Sequence, residues 1–122
     1  GALEAIGTYT MLPGGYAGET KAAAIKISPD GRWVLASNRG HDSVAAYSLD
    51  AATGRLELKA ISKLGGVFPR DFEFTPDGKF IVVGHKLSNE VAVYAFDGAA
   101  GELKQTANTI PMIKPLCFVF AR

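Results

Sequence analysis

The feature that most restricts the fold of this chain is an internal repeat with a period of 47 residues, seen for example in Pro29 and Pro76. At that offset, turn residues, apolar residues and glycines coincide without a gap. The other matching pairs are Asp30 and Asp77, Gly31 and Gly78, Val44 and Val91, Tyr47 and Tyr94, Asp50 and Asp97, Gly54 and Gly101, and Leu56 and Leu103. A period of this length indicates one supersecondary unit that is stacked several times.

Each unit contains four short segments of strand character separated by turn residues. In the first unit these segments are residues 24–27, 33–37, 43–49 and 56–63. Ser-Pro-Asp-Gly at 28–31 and Thr-Pro-Asp-Gly at 75–78 place proline where φ is preset and glycine where φ can be positive. Four strands joined by short turns are one blade of a β-propeller. The sequence therefore predicts an all-β chain of four-stranded antiparallel blades, with no helix longer than a turn or two.

The repeat also divides the chain into complete and partial blades. The predicted boundaries are 1–20 for the last strand of a preceding blade and a loop, 21–67 and 68–114 for two complete blades, and 115–122 for the first strand of a further blade. Propellers close with about 4 to 8 blades, so we expect this chain not to close alone. Its open blade faces would expose apolar surface and strand edges, which predicts self-association or pairing with missing blades.

Composition excludes several classes of partner. A formal net charge of +1 gives no reason to expect nucleic acid. No membrane is expected either, because no apolar run approaches the roughly 18 residues of a membrane span and no export signal opens the chain. The single cysteine, Cys117, fits a reducing cytoplasm and is interpreted as a buried, inert thiol. No metal-spaced cluster and no Ser-His-Asp arrangement is evident, so no metal and no cofactor is expected.

Strand order sorts the loops onto two faces, because alternate connections of an up-and-down blade lie on the same side. One face carries the short links 29–31 and 50–54. The other, here called the mouth, carries the second-to-third links and the between-blade links. Its residues are the basic or histidine side chains Lys21, Arg39, His41, Arg70, His85, Lys86 and Lys114 and the acidic side chains Glu19, Asp42, Asp71 and Glu90. This excess of basic groups predicts a positive mouth suited to an anionic small molecule.

Arg70 is the strongest candidate in the mouth. It stands where a between-blade loop enters the innermost strand, from which a side chain can reach the central channel. Its planar guanidinium suits a carboxylate or phosphate in bidentate fashion. The alternative is a network of Arg70 with Asp71 that holds the blade entry. For the three lysines of the mouth, solvated loop charges are the favoured interpretation.

The other candidates for substrate contact are Arg39, His41 and His85. For Arg39, contact with an anion and ordering of the loop are equally favoured interpretations. His41 is interpreted as a histidine on the rim, while Asp42 is expected to cap its own turn. His85 is interpreted as a packed loop residue rather than a base.

Two stretches resemble a known family. Residues 24–44, AIKISPDGRWVLASNRGHDSV, and 68–80, FPRDFEFTPDGKF, with Cys117 in a terminal apolar strand, resemble the C-terminal blades of the seven-bladed lactonase propellers. These include 6-phosphogluconolactonase and the fungal 3-carboxy-cis,cis-muconate lactonizing enzyme. The resemblance covers nearly the whole chain and depends most on SNRGHDS at 37–43 together with FPRDF at 68–72.

The resemblance implies a parent protein that hydrolyses an anionic sugar lactone such as 6-phosphogluconolactone without a metal. Arg70 would correspond to the substrate-facing arginine of the family, which makes it the candidate catalytic residue, and Arg39 to the arginine of its Asn-Arg loop. Many members carry an acid where this chain has Ala24, a position suited to a general base. The lack of an acid there either demotes the activity or places the base elsewhere. Because the blades that would supply the remaining pocket residues are missing from this chain as given, the isolated chain is expected to be inactive. The alternatives are a non-catalytic propeller-repeat binding or scaffold module and a muconate-type lactonizing enzyme.

Overall fold

The computed structural model describes residues 21–66, 69–85 and 87–111, without the side chains of residues 21 and 107–111. Its eight strands are β1 (Lys21–Ile27), β2 (Trp33–Arg39), β3 (Ser43–Leu49), β4 (Leu56–Lys63), β5 (Pro69–Phe74), β6 (Phe80–His85), β7 (Glu90–Phe96) and β8 (Leu103–Pro111). They form two antiparallel sheets in the orders β1-β2-β3-β4 and β5-β6-β7-β8. The part of the chain described contains no helix. The predicted all-β fold of four-stranded blades is confirmed.

Strands extend further towards the mouth than the sequence indicated. Arg39 and His85, both expected in loops, are the last residues of β2 and β6. The reason is backbone pairing with the innermost strand of each blade, since Arg39 lies opposite Lys21 and His85 opposite Pro69. Both side chains are therefore fixed by sheet geometry, and the loop assignment is wrong for each.

The turns of the two blades repeat almost atom for atom. Ser28 Oγ donates to Asp30 Oδ1 over 2.6 Å, and Thr75 Oγ1 donates to Asp77 Oδ1 over the same 2.6 Å. These hydrogen bonds hold the pKa of both carboxyl groups below the ordinary value. The Pro-Asp-Gly turns predicted from the sequence are thus formed in both blades.

The links between the second and third strands also have the same backbone conformation in both blades. Asp42 and Asn89, 47 positions apart, adopt the left-handed conformation with φ of 56° and 52°. Asp and Asn tolerate this conformation because their side chains bond to nearby backbone. Asp42 Oδ1 accepts the Gly40 N–H over 3.2 Å, which confirms the predicted turn-capping role of Asp42.

The main core lies between the blades. The buried side chains that form it are Trp33, Leu35, Val44 and Ala46 from the first blade, Leu64 from the link, and Phe72, Phe74, Ile81, Val83, Ala92 and Tyr94 from the second. Trp33 and Phe74 both meet the ring of Phe96 edge-on, at centroid distances of 5.7 and 5.4 Å. Trp33 Nε1 donates to the Gly98 carbonyl over 3.1 Å. The blades are therefore joined by interdigitated aromatic and aliphatic side chains, which positions their mouth-side ends next to each other.

Candidate functional site

The mouth is assembled by contacts that tie the blades together at one end. The Leu64 N–H donates to the Asp42 carbonyl over 2.8 Å, which joins the between-blade link to the second-to-third turn of the first blade. The Gly65 N–H donates to Tyr94 Oη of the second blade over 3.2 Å. The link and the turn therefore share a face, as the alternation of strand direction predicts.

Arg70 is the second residue of β5 and is half-buried. The register of β5 against β6 shifts between Pro69 and Asp71, directly at this arginine. Such irregularities re-aim a side chain and are frequent beside functional sites. No hydrogen bond or ion pair joins the Arg70 guanidinium to another described residue. Its charge is therefore uncompensated within the described ranges.

The expected alternative for Arg70, a network with Asp71, is not formed between these two described side chains. Asp71 Oδ1 lies 3.9 Å from Lys26 Nζ, and Lys26 lies 3.4 Å from Glu73 Oε2. The carboxylate beside Arg70 is therefore directed to the innermost strand of the neighbouring blade. This leaves the guanidinium available to an external anion.

Arg39 has a different environment. At the end of β2, its Nη2 donates to the Ala22 carbonyl of β1 over 3.2 Å. The contact ties the mouth-side ends of the first two strands together. Of the two roles considered for Arg39, the geometry favours loop ordering.

His41 lies on the rim, half-exposed. Its Nδ1 lies 2.7 Å from Ser43 Oγ, and its carbonyl accepts the Lys63 ammonium. Partial burial and the nearby Lys63 charge lower the pKa of His41, with Asp42 opposing them. His41 is therefore neutral at pH 7 and adds no positive charge to the mouth.

His85 is 0% exposed and lies beneath the between-blade link. Burial lowers its pKa, while Glu90 and Asp42 oppose the change. Its Nε2 lies 3.3 Å from Tyr94 Oη. The expectation of a packed histidine is confirmed by this burial, and a direct contact with substrate would require the link to move.

Sequence reasoning missed two features. The first is Lys26, which joins the innermost strands of the two blades through Asp71 and Glu73. A signal for it exists in the sequence, because Lys26 and Glu73 occupy equivalent positions in the repeat and carry opposite charges. The second is the hydrogen bond from the Gly65 N–H to Tyr94 Oη, for which the sequence contains no comparable pattern.

Other predictions lie outside the described residues. They concern residues 1–20 and 115–122, the side chain of Lys21, and Lys86, Lys114 and Cys117. Within the described ranges there is no group of three or more His, Cys, Asp or Glu residues placed to hold a metal ion. The same ranges hold no helix long and apolar enough to cross a membrane.

The chain matches a known family over almost its whole length. The model of the lactonase family, a seven-bladed β-propeller, matches residues 1–120. This chain belongs to that family. The predicted resemblance and the propeller architecture are therefore both confirmed.

Solved structures agree with this assignment to the lactonase family. The periplasmic gluconolactonase PpgL of Pseudomonas aeruginosa superposes with a TM-score of 0.82 and 30% identity, over 88% of this chain and 30% of that protein. A structure described as a putative 6-phosphogluconolactonase from Bacteroides fragilis superposes with a TM-score of 0.75 and 35% identity. The match covers 79% of this chain and 27% of that protein. An uncharacterized protein of Staphylococcus aureus strain USA300 is 40% identical over 72 residues, 59% of this chain. The lactonase-family chain spans only 21% of that relative.

Proposed function

We propose that this chain supplies the arginine with which a lactonase propeller binds the anionic group of a sugar lactone, and that the full-length protein hydrolyses a lactone such as 6-phosphogluconolactone. One observation carries the proposal: the guanidinium of Arg70 stands at a strand irregularity in the mouth without a partner among the described residues. The relatives described as lactonases support the choice of substrate class.

The electrostatics of the mouth favour Arg70 over a diffuse positive field. His41 and His85 are neutral at pH 7 because their pKa values are lowered, and Arg39 is bonded to backbone. Among the described basic side chains of the mouth, Arg70 is thus the one that makes no hydrogen bond or ion pair with another described residue. A half-buried guanidinium loses part of its hydration, and a bidentate carboxylate or phosphate replaces those lost hydrogen bonds.

In lactone hydrolysis a water oxygen attacks the carbonyl carbon, the ring C–O bond breaks, and the ring oxygen leaves with a proton as an alcohol. Arg70 would hold the substrate's anionic group and so fix the ring for this attack. Position 24 provides no general base, because the methyl group of Ala24 cannot accept a proton. In this proposal the base comes from another part of the propeller.

The test is the substitution Arg70→Lys in the full-length protein. Lysine keeps the charge but cannot reproduce the paired hydrogen bonds. Since a hydrogen bond to a charged group contributes about 1.5–3 kcal/mol, we expect kcat/KM for 6-phosphogluconolactone to fall roughly tenfold to a hundredfold. Arg32→Lys is the matched control, because Arg32 is exposed beside the turn on the opposite face. An Arg70→Lys protein that melts early yet hydrolyses the lactone at normal efficiency would contradict the proposal.

A non-catalytic binding module is the second candidate, and Ala24 is the observation that favours it. A full-length protein that binds 6-phosphogluconate but turns over no lactone would support it. The muconate-type lactonizing activity has no comparable observation in its favour. A cytoplasmic location stays a prediction, and one structural relative is described as periplasmic.

A further inference from the structure

The between-blade link that leads to Arg70 is held by two buried side chains of the second blade. The Gly65 N–H donates to Tyr94 Oη over 3.2 Å, and Tyr94 Oη lies 3.3 Å from His85 Nε2. Tyr94 is 2% exposed and His85 0%. Gly66 packs so closely on the His85 ring that a Cβ atom at position 66 would overlap it. The link thus rests on a tyrosine-histidine pair through two successive glycines.

One hydrogen bond joins the two buried side chains of this pair, and either partner can donate it. Tyr94 Oη accepts the Gly65 N–H, and the Gly66 N–H also faces it. Its own proton has one acceptor among the described residues, His85 Nε2. If Tyr94 donates to Nε2, the neutral imidazole carries its proton on Nδ1, which is buried without a hydrogen-bond partner. If Nε2 donates instead, the hydroxyl proton has no acceptor in the described ranges, so each arrangement leaves one buried donor unsatisfied and both keep the two side chains joined.

The same pair lies at both ends of the segment that leads to Arg70. Gly65 is bonded to Tyr94 at the start of the segment, and His85 lies opposite Pro69 in the sheet at its end. Arg70 follows Pro69 directly and sits at the strand irregularity. The two residues of the pair thus contact the described backbone on either side of residues 67 and 68, next to Arg70.

We propose that Tyr94 and His85 are positioning residues that orient the Arg70 guanidinium in the mouth, so that affinity for an anionic lactone depends on a buried hydroxyl that never touches it. This inference rests on the proposed function of Arg70.

The first blade provides an internal control. Tyr47 occupies the position equivalent to Tyr94, but Asn38 stands where the second blade has His85, and Ala23 where it has Arg70. Asn38 Nδ2 donates to Ser43 Oγ over 3.1 Å. Of the two described blades, the one with an arginine as the second residue of its innermost strand is also the one with the histidine.

The state of His85 makes the device sensitive to acid. The groups that face it are Tyr94 and Glu90 on β7, and Asp42 on the turn of the first blade. Protonation would put hydrogens on both ring nitrogens, and the charged ring would lie under Gly66 with no hydrogen-bond partner at Nδ1, which disfavours the packing that holds the link. The lowered pKa keeps His85 neutral at pH 7, so positioning is expected to be lost only on acidification.

The test compares Tyr94→Phe with Tyr47→Phe in the full-length protein, with 6-phosphogluconolactone as substrate. Tyr94→Phe keeps the ring and removes one hydroxyl, so KM should rise about threefold to tenfold with kcat changed by less than about twofold. Tyr47→Phe should leave KM unchanged. In an Arg70→Lys background the effect of Tyr94→Phe should disappear, because both changes act through one guanidinium.

His85→Asn gives the second variant, since it introduces the residue that the first blade uses. We expect the same rise in KM, and a ratio of variant to wild-type KM that shrinks as the pH is lowered, because wild-type protein loses its positioning there. A Tyr94→Phe effect that persists undiminished in the Arg70→Lys background, or a loss of thermal stability with unchanged KM, would overturn the inference. If Arg70→Lys alone leaves kcat/KM unchanged, the proposed function fails first and the inference with it.

Discussion

The two blades present the same face to very different surroundings. In the second blade this face carries Phe72 and Phe74, which are 0% and 4% exposed. In the first blade the equivalent positions hold Ile25 and Ile27, which are 68% and 61% exposed. All four side chains are large and apolar, so residue type does not explain the difference. What differs is the neighbour: the first blade covers the second, and no described residue covers the first.

The opposite faces show the reverse relation. Trp33 of the first blade is 5% exposed because it faces the second blade, whereas Phe80, 47 positions later, is 38% exposed. The described part of the chain therefore has two apolar faces, one on each blade, that no described residue covers. A blade of this type is stabilised mainly by its neighbours, and its apolar faces are suited to a position between two other blades.

The largest expected effect tests this comparison by truncating equivalent residues. Phe72→Ala should lower the free energy of unfolding of this chain by about 3–5 kcal/mol, because it leaves a cavity between the blades. At dilutions where the chain is monomeric, Ile25→Ala should change it by less than about 0.5 kcal/mol, because the side chain is then in solvent. Urea denaturation at such dilutions, followed by fluorescence, would measure both. Equal losses would show that the first blade is covered within the monomer.

A second prediction concerns what the open faces do. We propose that this chain, when isolated, associates through them, since exposed apolar faces with unpaired strand edges favour contact between copies. Light scattering over a dilution series should show species heavier than the 12.9 kDa monomer. The double substitution Ile25→Asp and Ile27→Asp should shift the distribution towards monomer. A monodisperse monomer at all concentrations of the unsubstituted chain would count against the proposal.

The smallest effect is a pH dependence that separates the two histidines. Burial lowers the folded-state pKa of His85 below 6.5, so the unfolded chain binds the proton more readily as the pH falls through that value. The stabilisation is complete above pH 6.5 and is lost progressively below it. His85→Asn should therefore reduce the loss of melting temperature between pH 7.5 and pH 5.5. The control is His41→Asn, which should remove a smaller part because His41 is half-exposed; an unchanged slope in His85→Asn would contradict the assignment.

Local features of this fold were predictable and contacts between blades were not. The Pro-Asp-Gly turns and the cap at Asp42 depend on residues within a few positions of one another, so the sequence identifies them. Arg39 and His85 were assigned to loops wrongly, because the end of a strand depends on where its partner strand ends. The partner residue lies too far away in the sequence for a short stretch around Arg39 or His85 to reveal it.

The same limit applies to the candidate site. The sequence places Arg70 at a blade entry, but the direction of Asp71 towards Lys26 depends on how the blades stack. The support of Gly65 by Tyr94 joins residues 29 positions apart and has no local signature. The mouth was expected to be positive, but burial lowers the pKa values of His41 and His85 and keeps both neutral at pH 7. Composition does not reveal which side chains are buried.

The central claim is that Arg70 holds the anionic group of a lactone or its product. The most direct measurement is calorimetric titration of the full-length protein with 6-phosphogluconate, which is the hydrolysis product and is not turned over. The account predicts that Arg70→Lys raises Kd about tenfold or more, while Arg32→Lys leaves Kd unchanged. Equal Kd values for Arg70→Lys and the unsubstituted protein, with the fold intact, would contradict it.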